Sequence, residues 1–218
     1  MSKIAVLGTG DVGNTIGSKL VELGHSVIMG SRTGSNENTL SFVAKHSGKA
    51  SAGTFAYAAA NGEIIFNCTK GFYSLDALKM AGEENLKDKI IVDLSNPIDV
   101  SKGIPPSLSV CNTDSLGEQI QRTFPSAKVV KTLNTVWCGL MVNPALVNRG
   151  DHTIFVSGND KNAKERVKEI LESFGWDEEN IVDLGDITTA RGTEMYLALW
   201  LRIMGSMKTG SFNVKIVR

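Results

Sequence analysis

The feature that most constrains the fold of this chain is a glycine-rich turn between a short apolar run and an amphipathic run. Residues 4–7 are apolar and strand-like, residues 8–13 match the pattern GxGxxG, and residues 12–23 have helical spacing. In such a unit the glycines allow a tight turn, room for a pyrophosphate, and close packing of helix on strand. The amides and dipole of the helix start favour an anion. The sequence therefore predicts a dinucleotide site made of Gly8, Thr9, Gly10, Asp11, Val12 and Gly13.

The first 135 residues continue with alternating strand-like and helix-like segments. Strand-like runs lie at residues 26–29, 63–69, 90–94 and 128–133, and several of them are continuously apolar. Alternating strands and helices predict a parallel sheet covered on both faces, and strands buried on both faces are apolar throughout. We therefore predict an α/β fold of the Rossmann type, with a doubly wound, mainly parallel sheet, over residues 1–135.

The pattern changes after residue 135. Residues 152–157 resemble a strand, residues 188–204 a helix that is apolar on nearly every side, and residues 212–217 alternate like an edge strand. A helix that is apolar all round lies in a core or a subunit interface. We predict that residues 136–218 form a small α+β region that packs on the first domain, contributes the acceptor pocket and makes the contacts of a homodimer. The apolar segment 137–147 is expected to take part in those contacts.

Composition narrows the range of partners. The 218 residues include 23 basic and 23 acidic side chains, so nothing indicates binding to nucleic acid. Three cysteines without a CxxC pair predict neither a disulfide framework nor a metal cluster. The longest apolar run, residues 195–201, is much shorter than the ~20 residues that cross a bilayer, and no signal peptide is recognisable. We expect a cytoplasmic protein without a metal and without a membrane partner.

The end of the second strand indicates which dinucleotide is bound. In chains that bind NAD, an acidic residue about 20 residues beyond the turn binds the ribose 2′-hydroxyl. This chain has no carboxylate between Glu22 and Glu37. Instead it offers Arg32, whose planar fork suits a 2′-phosphate, flanked by the hydroxyls of Ser31 and Thr33. The sequence favours NADP, and a solvated role for Arg32 is the alternative.

The later strand ends contain small polar groups but no clear acid–base pair. Residues 68–71, 95–97 and 134–137 can line a nicotinamide pocket, and Lys70 is the one ionisable candidate there, with a solvated loop lysine as the alternative. His25, His46 and His152 are predicted to be surface residues away from the site. Cys68 and Cys138 are predicted to be small buried core residues, with a position at the border of the pocket as the alternative.

The missing acid–base pair favours one kind of chemistry. Carbonyl reduction normally benefits from a positioned proton donor. Hydride transfer to a flavin-like ring does not require one, because the cofactor supplies the electronic chemistry and the protein orients it. We therefore predict a hydride relay between NADP and a second redox ring, with no catalytic side chain.

Three segments together resemble one family. Residues 4–13, the strand end 29–32, and the ending from residues 192–195 to 212–215 are similar to the coenzyme F-420-dependent NADP oxidoreductase family. The similarity extends over nearly the whole chain. The N-terminal module also resembles the cytosolic domain of six-transmembrane metalloreductases, which pass electrons from NADPH through a flavin.

The resemblance implies specific roles for residues. It places NADP on Thr9, Gly10, Asp11, Val12, Ser31 and Arg32. It places the nicotinamide near Thr69, Asn96 and Thr135, with the deazaflavin ring of coenzyme F-420 stacked against it. Family members often carry a further basic residue at the position of Asn36.

The predicted function is that of an NADP(H)-dependent oxidoreductase that exchanges hydride between NADPH and coenzyme F-420 or a flavin. One alternative is a small imine or hydroxyacid reductase of the 6-phosphogluconate dehydrogenase type, although those enzymes use a larger helical second domain than the about 80 residues beyond residue 135. The other alternative is a non-catalytic NADP-sensing protein.

Overall fold

The computed structural model describes residues 1–101 and 103–218, and a sheet covered by helices on both faces forms its centre. Within these residues there are ten strands: β1 (Lys3–Leu7), β2 (Ser26–Ser31), β3 (Ala50–Thr54), β4 (Ile64–Asn67), β5 (Ile90–Asp93), β6 (Ile98–Asp99), β7 (Ser107–Leu108), β8 (Lys128–Thr132), β9 (Ile154–Gly158) and β10 (Ile181–Asp183). The nine α-helices in the same residues are α1 (Asp11–Glu22), α2 (Glu37–Lys45), α3 (Phe55–Asn61), α4 (Gly71–Ala81), α5 (Glu83–Leu86), α6 (Leu116–Thr123), α7 (Cys138–Val142), α8 (Lys161–Ser173) and α9 (Ala190–Met207).

The order of the strands confirms the predicted fold class. Eight strands form one sheet in the order β10-β9-β8-β5-β4-β1-β2-β3, while β6 and β7 pair as a separate antiparallel ribbon. Neighbouring strands of the large sheet are parallel except for β8 and β9. The chain runs from β1 to one side and then returns through β4 to the other, as in a doubly wound Rossmann fold. Ligands of such sheets bind outside the carboxyl ends of the strands at this reversal.

The apolar runs form two cores because alternate residues of a strand point to opposite faces. In β1, Ile4 and Val6 belong to the apolar cluster on one face of the sheet, and Ala5 and Leu7 belong to the cluster on the other. All four side chains are 0% exposed. Burial on both faces is the physical reason why this strand is apolar without alternation.

The C-terminal part differs from its prediction in one element. The structure has no strand at residues 211–218, so the predicted edge strand at residues 212–217 is wrong. The segment is bonded instead at Thr153, whose amide donates to the Val214 carbonyl (2.9 Å) and whose Oγ1 accepts from the Ile216 amide (3.0 Å). Two hydrogen bonds to Thr153 alone are not the repeated backbone pairing that defines a β-strand. β9 and β10 extend the central sheet, and the domain boundary at residue 135 stays a prediction.

The three glycines of the turn face different surroundings. Gly8 has a φ of 115°, and a Cβ there would lie 2.6 Å from the carbonyl oxygen of Cys68. A Cβ at Gly13 would overlap the carbonyl oxygen of Gly8. A Cβ at Gly10, in contrast, would meet no described atom within 4 Å. Packing therefore explains Gly8 and Gly13 but does not explain Gly10.

This difference predicts that alanine substitutions at Gly13 and at Gly10 change the stability of the protein by different amounts. Gly13→Ala should lower the free energy of unfolding by about 2 kcal/mol or more, because the added methyl overlaps backbone that cannot move away freely. Helix propensity alone would favour alanine by about 1 kcal/mol, so the sign of the change tests the contact. Gly10→Ala should change the unfolding free energy little. Urea unfolding of both variants measures the two effects, and a Gly13→Ala protein as stable as wild type would contradict the packing argument.

Candidate functional site

The glycine turn is preformed by its own hydrogen bonds. The Gly8 amide donates to the Gly30 carbonyl at 3.1 Å, which joins the turn to the end of β2. The Asn14 side chain donates to the carbonyls of Thr9 (2.9 Å) and Gly10 (3.2 Å). Gly10 precedes α1, and no side chain caps the helix start. The turn is therefore held in shape while the start of α1 stays open to an anionic ligand.

A cleft of about 850 Å³ lies at the carboxyl edge of the sheet, beside the reversal between β1 and β4. This volume is typical of small-molecule sites. Its main lining consists of the glycine turn at Gly10, Asp11 and Val12, a polar wall of Thr69, Ser95, Asn96 and Asn134, and an apolar wall of Val136, Trp137, Met141, Leu197 and Trp200. A dinucleotide bound at the glycine turn would extend into this cleft.

The polar wall is a fixed arrangement of amides and hydroxyls. The Asn134 side-chain nitrogen donates to Asn96 Oδ1 at 3.0 Å, and the Asn96 side-chain nitrogen donates to the Asn134 carbonyl at 2.8 Å. Thr69 Oγ1 donates to Asn67 Oδ1 at 2.6 Å. These bonds orient neutral groups that can bind a carboxamide, and none of the four wall side chains ionises near neutral pH.

The apolar wall presents aromatic surface to the cleft. Trp137 is 44% exposed, and its ring lies so close to Gly139 that a Cβ there would overlap it. Trp200 stacks on Phe212, with ring centroids 5.3 Å apart and planes inclined by 24°. The wall therefore offers a flat ring held in one orientation, which suits a planar aromatic ligand.

The structure brings six of the predicted site residues into the cleft, namely Gly10, Asp11, Val12, Thr69, Lys70 and Asn96. Gly8, Thr9 and Gly13 form the turn behind it. Lys70 is exposed at the start of α4. Thr135 is 2% exposed and lies outside the described lining of the cleft, and its Oγ1 has no hydrogen-bond partner among the described residues.

The end of β2 lies next to the glycine turn, because Leu7 pairs with Gly30 in parallel register. Arg32 is exposed and has no ion-pair partner within the described chain. Ser31 is 5% exposed, and its Oγ has no hydrogen-bond partner in residues 1–101 and 103–218. Because a buried hydroxyl without a partner is costly, this one fits a bound acceptor oxygen.

The side chains of Thr33 and Asn36, which follow Arg32, already have hydrogen-bond partners within the protein. Thr33 Oγ1 makes a long bond of 3.4 Å to the Ser35 carbonyl. Asn36 caps α2, and its Oδ1 accepts from the Thr39 amide at 3.0 Å. Asn36 therefore has a local structural role at the start of α2.

Two sequence interpretations require correction. Cys68 and Cys138 are half-buried and line the cleft, so they are not simply core residues. Burial raises the pKa of the Cys68 thiol, and the nearby Asp93 carboxylate raises that pKa further, so this thiol stays protonated and is a poor nucleophile. His152 is 2% exposed, so its prediction as a surface residue was wrong. Its Nε2 bonds to the Pro144 carbonyl at 2.9 Å, and its Nδ1 bonds to the Asn213 side chain at 2.8 Å.

His25 and His46, predicted to be surface residues away from the site, are half-buried and lie outside the described lining of the cleft. Ser2 donates its amide to His25 Nδ1 at 3.2 Å, and His46 Nε2 lies 2.8 Å from Ser18 Oγ. None of the three histidines is among the described residues that line the cleft.

Sequence reasoning missed a buried charged cluster behind the polar wall. Lys131 Nζ lies 2.8 Å from Asp93 Oδ2 and 2.8 Å from Glu194 Oε1. The three side chains are 0%, 0% and 1% exposed, in the order Lys131, Asp93 and Glu194. The signal was present, because Asp93 ends the otherwise apolar strand β5 and Lys131 follows the two valines of β8.

Comparison with known proteins identifies the family. The sequence profile described as NADP oxidoreductase, coenzyme F-420-dependent, matches residues 3–97. A crystal structure from Arthrobacter sp. FB24, provisionally named an F-420-dependent NADP reductase, is 50% identical, with a TM-score of 0.95 and 100% coverage of both chains. This chain belongs to that family. It is accordingly a member of a family of NADP-dependent oxidoreductases.

More distant relatives share parts of this architecture. The rat (Rattus norvegicus) metalloreductase STEAP3 is 27% identical over 217 residues, which cover 94% of this chain and 38% of that protein. The chain thus spans well under half of the length of this curated relative. A reductive aminase from Aspergillus terreus, solved with NADPH and ethyl levulinate, is 16% identical with a TM-score of 0.64, covering 95% of this chain and 66% of its own. That likeness shows a common fold.

Two absences hold for residues 1–101 and 103–218, the part of the chain that the structure describes. No helix among them is both long and apolar enough to cross a bilayer. They contain no group of three or more histidine, cysteine, aspartate or glutamate side chains that could hold a metal ion.

The open position at Gly10 predicts a variant that folds but does not bind the dinucleotide. Gly10→Val should place a branched side chain where the pyrophosphate would lie, so NADPH affinity should fall by about 100-fold or more. Its melting temperature should remain near that of wild type, because no described atom lies near the added Cβ. Calorimetric titration with NADPH measures the loss. Gly205→Val, also in open space but on α9, is the control that should bind normally. Unchanged affinity in Gly10→Val would refute this placement.

Proposed function

We propose that this protein exchanges hydride between NADPH and a planar redox ring, coenzyme F-420 or a flavin, in the cleft at the carboxyl edge of the sheet. The proposal rests on one observation, namely that a polar wall and an apolar wall line the same cleft. The polar wall adjoins the glycine turn and suits a nicotinamide carboxamide. The apolar wall, with Trp137 and Trp200, suits a flat acceptor ring facing it.

The proposed binding of NADP uses the predicted residues in three groups. The turn from Gly8 to Gly13 would hold the pyrophosphate at the start of α1. Ser31, Arg32 and Thr33 would surround the 2′-phosphate, and the unpartnered Ser31 hydroxyl and unpaired Arg32 support this. Thr69 and Asn96 would lie beside the nicotinamide, with Thr135 behind them and Lys70 at the solvent rim.

The residues of the cleft fit hydride transfer without a general acid. NADPH held by the glycine turn and the polar wall would supply a hydride, and the acceptor ring would take up that hydride together with a proton from water. The polar wall would orient the nicotinamide through fixed hydrogen bonds. The apolar wall would exclude water from the reacting face. None of the described wall residues needs to donate or accept a proton, because a redox ring accommodates the electrons itself.

The C-terminal region is proposed to serve the acceptor and a second copy of the chain. In the proposed division, residues 1–135 bind NADP and residues 136–218 supply most of the apolar wall. α9 also exposes Leu199 by 56% and Met207 by 55%. These side chains are the proposed contacts of a homodimer.

Arg32→Ala tests the choice of cofactor. A charge-assisted bond to the 2′-phosphate contributes about 1.5–3 kcal/mol, so NADPH should bind roughly 10- to 100-fold more weakly to the variant. NADH lacks that phosphate and should bind both proteins almost equally. Titrating both nucleotides into both proteins gives four dissociation constants. Arg202→Ala, another exposed arginine, is the control that should change none of them. Equal losses for the two nucleotides would show that Arg32 is only structural.

Trp137→Ala tests the acceptor wall. Stacking on an aromatic ring contributes about 0.5–1.5 kcal/mol, so the KM for coenzyme F-420 or a flavin should rise roughly 2- to 10-fold while the Kd of NADPH stays the same. Steady-state oxidation of NADPH by each acceptor measures this. Tyr57→Ala removes a ring of similar exposure outside the described cleft and should leave the KM unchanged.

The same assay separates the competing functions. Sustained NADPH oxidation by an imine or a 2-keto acid, with none by either ring acceptor, would favour the imine or hydroxyacid reductase reading. Tight NADPH binding without turnover by any acceptor would favour a sensor.

A further inference from the structure

Each charged side chain of the cluster behind the polar wall has hydrogen-bond and ion-pair partners. Asp93 ends β5, and its Oδ1 accepts from the Ser95 amide at 3.2 Å. Lys131 Nζ donates to Asp93 Oδ2 (2.8 Å) and to the Ser95 carbonyl (2.5 Å). The oxygens of Glu194 accept from the amides of Leu116 (2.7 Å) and Gly117 (2.9 Å), at the start of α6. Each of the three charges therefore has at least one partner besides its ionic neighbours.

The cluster contains two carboxylates and one ammonium group. The dipole of α6 favours the negative charge of Glu194 at its first turn. Burial alone would lower the pKa of Lys131, but the charges of Asp93 and Glu194 together raise that pKa above its ordinary value. Lys131 therefore stays charged over the physiological pH range.

Stability does not explain such a cluster. Each buried ion loses several kcal/mol of hydration, and apolar residues of similar volume are often as stabilising as a buried ion pair. The neighbouring strand residues Val92, Val129 and Val130 are buried and apolar, so the surroundings of Lys131 and Asp93 could also accommodate apolar side chains. The positions that the cluster connects suggest another role.

One side of the cluster extends to the polar wall. The Asn67 side chain donates to Asp93 Oδ1 at 2.8 Å and accepts from Thr69 Oγ1 at 2.6 Å. The Ser95 hydroxyl donates to Asp93 Oδ1 at 2.7 Å. Both Thr69 and Ser95 line the cleft. The carboxylate of Asp93 thus holds two polar-wall residues by direct or one-step hydrogen bonds.

The other side of the cluster extends to the apolar wall. Glu194 lies on α9, and Leu197 and Trp200 follow it at intervals of three residues, about one turn each. Leu197 and Trp200 line the cleft. Since Lys131 lies on β8 and Asp93 on β5, the ion pair to Glu194 joins α9 directly to the two strands beneath the polar wall.

We propose that Lys131, Asp93 and Glu194 are positioning residues that set the distance between the polar and apolar walls, and with it the approach of the acceptor ring to the nicotinamide. This rests on the proposed function. Hydride transfer requires reacting atoms about 3–3.5 Å apart, and a displacement of ~1 Å can cost 100-fold in rate. The cluster touches neither the nucleotide nor the acceptor in this arrangement, so its effect is on geometry.

The chain contains a matched pair away from the cleft. Asp183 ends β10, and its Oδ1 accepts from the Gly185 amide at 2.9 Å. Lys164 Nζ donates to Asp183 Oδ1 (2.7 Å) and to the Gly185 carbonyl (2.9 Å). This repeats the bonds that Lys131 makes to Asp93 and Ser95. Neither Lys164 nor Asp183 belongs to the described lining of the cleft, so the pair is a natural control.

Glu194→Gln is the principal test. It keeps the size of the side chain, leaves the Lys131–Asp93 pair balanced, and removes the ion pair to α9. The Kd of NADPH should stay within about 3-fold, because the glycine turn and Arg32 are untouched. The single-turnover rate of hydride transfer to coenzyme F-420 or a flavin should fall about 10- to 100-fold. NADPH deuterated at the transferred position should show a larger isotope effect on kcat than in wild type, since hydride transfer would limit turnover.

Lys164→Met is the control. It breaks the matched pair and should lower the melting temperature, yet its hydride-transfer rate should stay within about 3-fold of wild type. Hydride transfer at the wild-type rate in Glu194→Gln would overturn the proposal. So would an equal loss of rate in Lys164→Met, because the effect would then reflect general destabilisation.

A second variant covers the case in which Glu194→Gln does not fold. The double variant Lys131→Met, Asp93→Asn removes one charge of each sign and keeps the bonds of Glu194 to α6. It should show the same loss of rate with NADPH affinity preserved, and a normal rate would overturn the proposal. Wild-type protein that transfers hydride to neither ring acceptor would overturn the proposed function and this proposal together, a result visible before any variant is made.

Discussion

The close approach of α1 to β1 and β4 is the constraint on which the rest of the structure depends. Gly8 turns with a positive φ beside the Cys68 carbonyl, and Gly13 leaves no room for a Cβ against the Gly8 carbonyl. This contact points the start of α1 at the carboxyl edge of the sheet, where the strand order reverses. The cleft exists at that place because the loops after β1 and β4 diverge there, and of the three glycines in the GxGxxG turn only Gly10 has open space around its Cβ position.

The side chains of the cleft are suited to orienting bound rings, and the redox chemistry is left to the rings themselves. One wall consists of neutral amides and hydroxyls that bond to one another, and the other consists of aliphatic and aromatic side chains. The side chains named for the two walls are neutral, and burial keeps the Cys68 thiol protonated, while the ionisable side chains of Asp11, Lys70, Tyr73 and Asp99 line the cleft outside these walls. Such a site is suited to orienting two redox rings in the absence of water, which is the task that remains when the rings carry the electrons. Family membership assigns NADP dependence, and the cleft geometry supports a ring as the partner.

The Lys131 cluster shows how the two walls are kept in register. Sheet and helix meet through apolar contacts that can slide, whereas an ion pair at 2.8 Å with further backbone bonds has one geometry. The matched Lys164 pair shows that the aspartate–lysine motif is used twice, once at the remote edge of the sheet and once beneath the cleft. Each pair has a third charge beside it: Lys168 Nζ lies 3.9 Å from Asp183 Oδ2, whereas Glu194, beside the pair beneath the cleft, lies on the helix that contributes Leu197 and Trp200 to the apolar wall.

The glycine turn and the parallel strands could be predicted from the sequence because each depends on residues close together in the chain. Local sterics dictate the turn, and burial on both faces makes the strands apolar. The burial of His152, the irregular segment at residues 211–218 and the cleft position of Cys68 depend on distant partners, so only the tertiary structure decided them. The same holds for Lys131, whose partner Asp93 lies 38 residues away. The lysine in β8 was visible in the sequence, but the fold alone determines which opposite charge neutralises it.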